Sequence, residues 1–132
     1  LADIISRLDV SATILPWCDP ALVYQAIDAL VIPSRYEGLP LVMLEALASG
    51  TSVLGSDRDG MKDLLPAERR FQPDNPVAIR SALQRFVQDG KPPAPGALVA
   101  RVRETMSMPA FRQAFSSTLL SLLEADSRLQ RG

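Results

Sequence analysis

Four consecutive apolar residues, Ala29–Ile32, constrain the fold of this chain more than any other feature. The run is uniformly apolar rather than alternating, which is typical of a strand covered on both faces of a parallel sheet. A helix is predicted on either side of it. One begins at Pro20 behind the N-cap residue Asp19, and the other covers Leu41–Ser49 and ends at Gly50. Strands alternating with helices indicate an α/β fold with helices on both faces of a parallel sheet.

The rest of the chain continues this alternation. Parallel sheets bind ligands beyond the carboxyl ends of their strands, so three loops become candidate sites: Pro16–Asp19, Pro33–Pro40 and Ser56–Gly60. Further short strands are predicted at Ala12–Leu15, Ser52–Gly55 and Arg69–Gln72. Further helices are predicted at Leu1–Val10, Met61–Leu65, Pro76–Gln88, Leu98–Met106 and Ala110–Leu129. A proline-rich surface linker is predicted at Gly90–Gly96.

Composition limits the possible functions of the chain. Its 132 residues fit one domain, and a net charge of -1 argues against a nucleic-acid partner. No apolar stretch approaches the roughly 20 residues that span a bilayer, so we expect a soluble protein. Cys18 is the only cysteine and histidine is absent, which excludes a disulfide framework, a histidine-dependent catalytic triad and a histidine metal site. Because the chain begins at Leu1 without a methionine or a charged leader, we interpret it as part of a longer protein.

The loop between the apolar strand and the Leu41–Ser49 helix has the features of a phosphate site. The first amides of a helix are unpaired and carry partial positive charge, so a diphosphate is favoured there. Gly38 would allow the phosphate to approach closely. Glu45 lies about one turn inside the helix and is well placed to accept hydrogen bonds from a ribose diol, whereas Glu37 precedes the helix and would lie nearer a transferred sugar.

The run from Pro33 to Gly50, with two glutamates separated by seven residues, resembles the donor-site signature of retaining GT-B glycosyltransferases of the group 1 family. The resemblance implies that Glu37 is the catalytic residue beside the donor sugar. It further implies that Glu45 holds the ribose and that the amides of the loop hold the diphosphate. The donor-binding residues implied within this loop are Gly38, Leu39 and Pro40.

The resemblance continues through Thr51–Gly60, fades after Leu65 and covers about half the chain. It implies that residues 1–132 form a Rossmann-like, three-layer domain, the truncated C-terminal half of a GT-B fold, with the N-terminal acceptor domain missing. The basic pair that relatives use on the donor phosphates normally precedes the equivalent of Leu1, so we expect this fragment alone to be inactive. Departures from the family pattern occur at Ser52, Asp59 and Asp63, and none of them affects the two glutamates.

The resemblance predicts transfer of a sugar from a nucleotide-diphosphate sugar, with retention and without a metal or other cofactor. The acceptor would be a glycan, a lipid-linked molecule or a small molecule. Two alternatives stay open: a non-catalytic nucleotide-binding or scaffolding domain of the same fold, and a GT-B-fold sugar-nucleotide epimerase. The expected location is cytoplasmic, with peripheral attachment to the cytoplasmic membrane face also open.

Several side chains keep two interpretations. Trp17 occupies the place where relatives contact the nucleobase, and either a stacking role or plain packing fits it. Arg35 and Tyr36 are candidates for contact with the substrate, although such loop residues are more often structural or solvated. Cys18 is more typical of inert packing than of a reactive thiol. The nucleobase, the sugar and the acceptor are not determined by the sequence.

Overall fold

The structure, a computed structural model, describes residues 11–129, with side chains through residue 121. Its centre is a three-stranded parallel sheet in the order β1-β2-β3. The strands are β1 (Ala29–Ile32), β2 (Ser52–Ser56) and β3 (Arg70–Phe71). Ala29 pairs with Ser52 and Ile32 with Gly55, so all of β1 is hydrogen-bonded to β2.

Six helices surround this sheet in the described part of the chain. The sequence predicted each of them to within two residues at its N-terminal end. They are α1 (Pro20–Ala26), α2 (Leu41–Ala48), α3 (Asp59–Leu64), α4 (Pro76–Gln88), α5 (Gly96–Thr105) and α6 (Met108–Leu129), with a 3₁₀ turn at Ala67–Arg69.

The core consists of two apolar clusters, one on each face of the sheet. Successive side chains of a strand point to opposite faces, and β2 shows this directly. Val53 packs into a cluster with α2 and α5, whereas Leu54 packs with Phe71 and the α4 residue Phe86. Both faces of β2 are therefore covered, which confirms the predicted three-layer α/β arrangement.

Local chemistry explains where α1 and α2 begin and end. The Asp19 carboxylate caps α1 by accepting a hydrogen bond from the Ala21 amide at 2.9 Å, and Pro20 occupies the first turn, both as predicted. Gly50 has φ of 84°, the left-handed conformation that suits glycine after a helix, and its amide donates to Leu47 O. The segment from β1 to β2 therefore has the predicted strand-loop-helix-strand order.

The predicted strand at Ala12–Leu15 is wrong. These four residues form no strand, and Ile14 and Leu15 are mostly exposed. A short apolar segment becomes a strand only if a neighbouring strand accepts its hydrogen bonds and a packed layer covers its side chains, and the described residues supply neither. The predicted helix at Leu1–Val10 lies outside the described residues.

Candidate functional site

The start of α2 presents free amide groups at the carboxyl end of β1. Pro40, the N-cap residue, has no side chain that could accept a hydrogen bond from the first turn. Its carbonyl accepts from the amides of Met43 and Leu44. The amides of Leu41 and Val42 precede the helical hydrogen-bond pattern, and both residues are exposed. Hydrogen-bond donors and the positive end of the helix dipole therefore face the same place.

Glu37 is held in the loop before α2 by its own neighbours. The Ser34 hydroxyl donates to Glu37 Oε1 at 2.9 Å, and Glu37 is half-buried. The Ser34 carbonyl in turn accepts a hydrogen bond of 2.6 Å from the buried Ser56 hydroxyl, at the end of β2. The loop that carries Glu37 is thereby tied to the central strand of the sheet.

Glu45 is supported from a different helix. The Tyr24 hydroxyl, on α1, donates to Glu45 Oε2 at 2.9 Å. Tyr24 is only 8% exposed, and its carbonyl accepts from the Thr51 hydroxyl at 2.7 Å. Burial, together with the hydrogen bond and negative charge of Glu45, raises the pKa of Tyr24 from 10 to about 12. The phenol therefore remains protonated as a donor, while the exposed Glu45 keeps its second oxygen for another partner.

A cavity of about 300 Å³ opens beside this pair. Glu45 and Tyr24 line it together with Asp19, whose backbone belongs to the Pro16–Asp19 loop that the sequence singled out. The sequence analysis missed Tyr24 because the residue lies on the inner face of α1 among apolar residues. A hydroxyl in an otherwise apolar helix face was the available signal, since a buried hydroxyl requires a partner.

The loop before α2 and the first turn of α3 approach each other closely, backbone to backbone, at Gly38 and Gly60. A Cβ atom on Gly60 would lie 1.9 Å from the Gly38 carbonyl oxygen, so only glycine fits there. A Cβ atom on Gly38, by contrast, would meet nothing within 4 Å. The surface beside Gly38 is thus open, as a ligand that approaches the backbone would require.

The structure does not bring Trp17 to the cavity beside Glu45. Trp17 is 94% exposed, so its packing interpretation is wrong and its contact with a nucleobase stays a prediction. Arg35 pairs with Asp74 at 2.5 Å on the surface, and Tyr36 is exposed. The roles of Leu39 and of the other predicted site residues toward a ligand stay predictions as well.

The described residues contain neither a metal-ligand cluster nor a membrane-spanning helix. Within residues 11–121, where the structure describes side chains, no three histidine, cysteine or carboxylate groups lie close enough together to hold a metal ion. Within residues 11–129, no helix is both long and apolar enough to cross a membrane.

Comparisons with known proteins agree with this fold. Residues 1–89 match the family described as Glycosyl transferases group 1. An uncharacterized glycosyltransferase of Methanocaldococcus jannaschii is 36% identical over 70 residues, which cover 51% of this chain and 18% of that protein. The solved structure of sucrose-phosphate synthase from Thermosynechococcus elongatus superposes with a TM-score of 0.83 and 25% identity, over 94% of this chain and 34% of that one.

The chain thus spans about a fifth and a third of the lengths of these two relatives. The structural match confirms the predicted Rossmann-like α/β fold of the GT-B type. The family match covers β1, α2 and β2, including the whole run from Pro33 to Gly50. This chain belongs to the group 1 glycosyl transferases.

Proposed function

We propose that this chain is the donor-binding half of a retaining glycosyltransferase that uses a nucleotide-diphosphate sugar. One observation carries the proposal: the unpaired amides at the start of α2 stand, along the chain, between two carboxylates that are each held by a hydroxyl donor. A diphosphate matches the amides, and the hydroxyls of a ribose and a sugar match the carboxylates.

Glu45 is proposed to bind the ribose. A carboxylate oxygen carries two lone pairs, so the Tyr24 hydrogen bond leaves acceptor positions for two adjacent hydroxyls. The cavity of about 300 Å³ next to Glu45 gives such a group space to enter. Because Tyr24 is buried and anchored through Thr51, the orientation of Glu45 is set before the ligand arrives.

The amides at the start of α2 are proposed to stabilise the leaving group. As the bond between the anomeric carbon and the diphosphate oxygen breaks, its electron pair moves to that oxygen, and negative charge grows there. Fixed N–H donors and the helix dipole stabilise this charge without reorganising. The acceptor hydroxyl attacks from the side of the departing diphosphate, which retains the configuration, and its proton passes to the diphosphate oxygen that leaves. Glu37, held by Ser34, would contact hydroxyls of the transferred sugar.

Titration of the full-length protein with UDP, GDP and ADP by calorimetry tests the proposal. We expect selective binding of one nucleotide and a loss of about 10- to 100-fold in affinity for Glu45→Ala, as expected for a hydrogen bond to a charged group. Glu104→Ala, which removes an exposed glutamate of α5, is the matched control and should bind like the wild type.

Turnover separates the proposed enzyme from a non-catalytic nucleotide-binding domain. Glu37→Gln should lower the transfer rate while leaving nucleotide affinity within about twofold, because Glu37 is placed on the sugar and not on the nucleotide. NMR of the product should show the anomeric configuration of the donor. If the full-length protein bound none of the three nucleotides, the glycosyltransferase proposal would be wrong and a scaffolding role would replace it.

A further inference from the structure

A second cavity, of about 500 Å³, lies at the carboxyl ends of β2 and β3. No described residue lines both this cavity and the cavity beside Glu45. The Asp57 amide donates to Phe71 O at 2.7 Å, which joins the two strand ends. Open α/β sheets take ligands at this edge, and the volume lies within the range of small-molecule sites. The charges of the lining side chains determine which ligand this cavity accepts.

The lining carries more positive than negative charge. Arg58, Lys62 and Arg70 contribute three cations, and Asp57 contributes one carboxylate. Asp57 pairs with Arg70 Nη1 at 2.5 Å. Arg58 and Lys62 make no ion pair with any residue that the structure describes, so two positive charges face the cavity without a partner.

The positions of these two cations favour a shared anionic ligand. Lys62 lies one helical turn after Arg58, and its amide donates to the Arg58 carbonyl at 3.2 Å. Both side chains line the same cavity, so their like charges repel each other there. An anion between them removes the repulsion, and a guanidinium next to an ammonium supplies both paired and single N–H donors for phosphate oxygens.

We infer that this cavity is a separate site for the phosphate group of a small molecule. The inference does not depend on the proposed nucleotide site, because it uses none of its residues. Two free cations match one phosphate, whereas a polyanion would need an extended positive surface, and the chain has a net charge of -1. The polar side chain of Gln72, also in the lining, could bind a hydroxyl of the molecule that carries the phosphate.

The experiment is an NMR titration of the full-length protein with inorganic phosphate, at constant ionic strength. We expect the largest shifts at Arg58, Lys62 and Gln72 and a loss of at least about tenfold in affinity for the double variant Arg58→Gln/Lys62→Gln. The matched control, Arg80→Gln/Arg112→Gln, removes two equally exposed cations from α4 and α6 and should stay within about twofold of the wild type.

The outcomes are distinct. Equal losses in the two double variants would show a general charge effect and overturn the inference, as would shifts confined to the residues around Glu45. Glu45→Ala should leave phosphate affinity unchanged even if it abolishes nucleotide binding, so the two proposals fail separately. A second titration, with glucose 6-phosphate, shows whether the phosphate group belongs to an organic molecule or is the free ion. Tighter binding than that of inorganic phosphate indicates an organic phosphate, and equal binding indicates the free ion. Either result supports the site.

Discussion

The loops that follow β1 and β2 leave the same edge of the sheet, yet their acidic side chains are held by different chemistry. On the β1 side, Glu45 accepts a hydrogen bond from the neutral phenol of Tyr24. On the β2 side, Asp57 pairs with the cation Arg70. A neutral donor fixes a carboxylate without cancelling its charge, whereas a guanidinium both fixes and neutralises it.

Neighbouring segments of one sheet edge can in this way suit ligands of opposite charge. Glu37, held by the Ser34 hydroxyl, follows the same pattern as Glu45, so the β1 side keeps two charged acceptors for hydroxyl groups. The β2 side has its only lining carboxylate neutralised and keeps its remaining cations for an anion.

Gly60→Ala should damage both sides at once. Its new Cβ atom would lie 1.9 Å from Gly38 O, a backbone atom that cannot swing away, so we expect the free energy of unfolding to fall by about 3 kcal/mol. Denaturant unfolding measures this. Gly96→Ala, at the start of α5, meets nothing within 4 Å and should be neutral or stabilising by up to about 1 kcal/mol. Equal stabilities for the two variants would mean that the loops are not in backbone contact.

Alkaline pH should weaken the β1 side specifically. The pKa of Tyr24 rises from 10 to about 12 on folding, so the stability linked to its protonated form is complete below pH 10 and is lost as pH rises through about 12. We expect a loss of about 2 kcal/mol across this window. Unfolding measured on both sides of the window in the wild type and in Tyr24→Phe isolates the effect, because the variant lacks the titrating phenol. Parallel losses in the two proteins would contradict the assignment to Tyr24.

Tyr24→Phe should reduce nucleotide affinity by about tenfold at neutral pH, near 1.4 kcal/mol, because Glu45 loses the donor that orients it. Phosphate binding at the β2 side should not change, which tests whether the two sides are independent. Tyr36→Phe is the control, since Tyr36 is exposed and makes no side-chain hydrogen bond to the described residues. Unchanged nucleotide binding in Tyr24→Phe would show that Glu45 does not need the hydrogen bond from Tyr24 to bind the nucleotide.

The features that the sequence predicted well are those that depend on local chemistry. Asp19 and Pro20 begin a helix and Gly50 follows the end of another, because capping and left-handed backbone are properties of single residues and their neighbours. The uniform apolar run of β1 predicted cover on both faces, and both core clusters include residues of β1 and β2.

The features that it missed depend on contacts between distant segments. Tyr24 and Glu45 are 21 residues apart and meet only because the folded chain brings one residue of α1 to one residue of α2. The cavity at β2 and β3 is formed by residues up to 16 positions apart, from Asp57 to Pro73, and no short motif marks it. The predicted strand at Ala12–Leu15 was wrong for a related reason, because an apolar tetrapeptide carries no information on whether a pairing partner is present.

The backbone contact between Gly60 and Gly38 has a consequence for protein engineering. A chimera that imports only the Pro33–Pro40 loop from a relative would place a different backbone against Gly60, which fits closely against the native loop at Gly38. Residues 33–60 should therefore be exchanged as one cassette when donor preference is to be altered. A library that randomises this loop should likewise hold position 60 fixed as glycine.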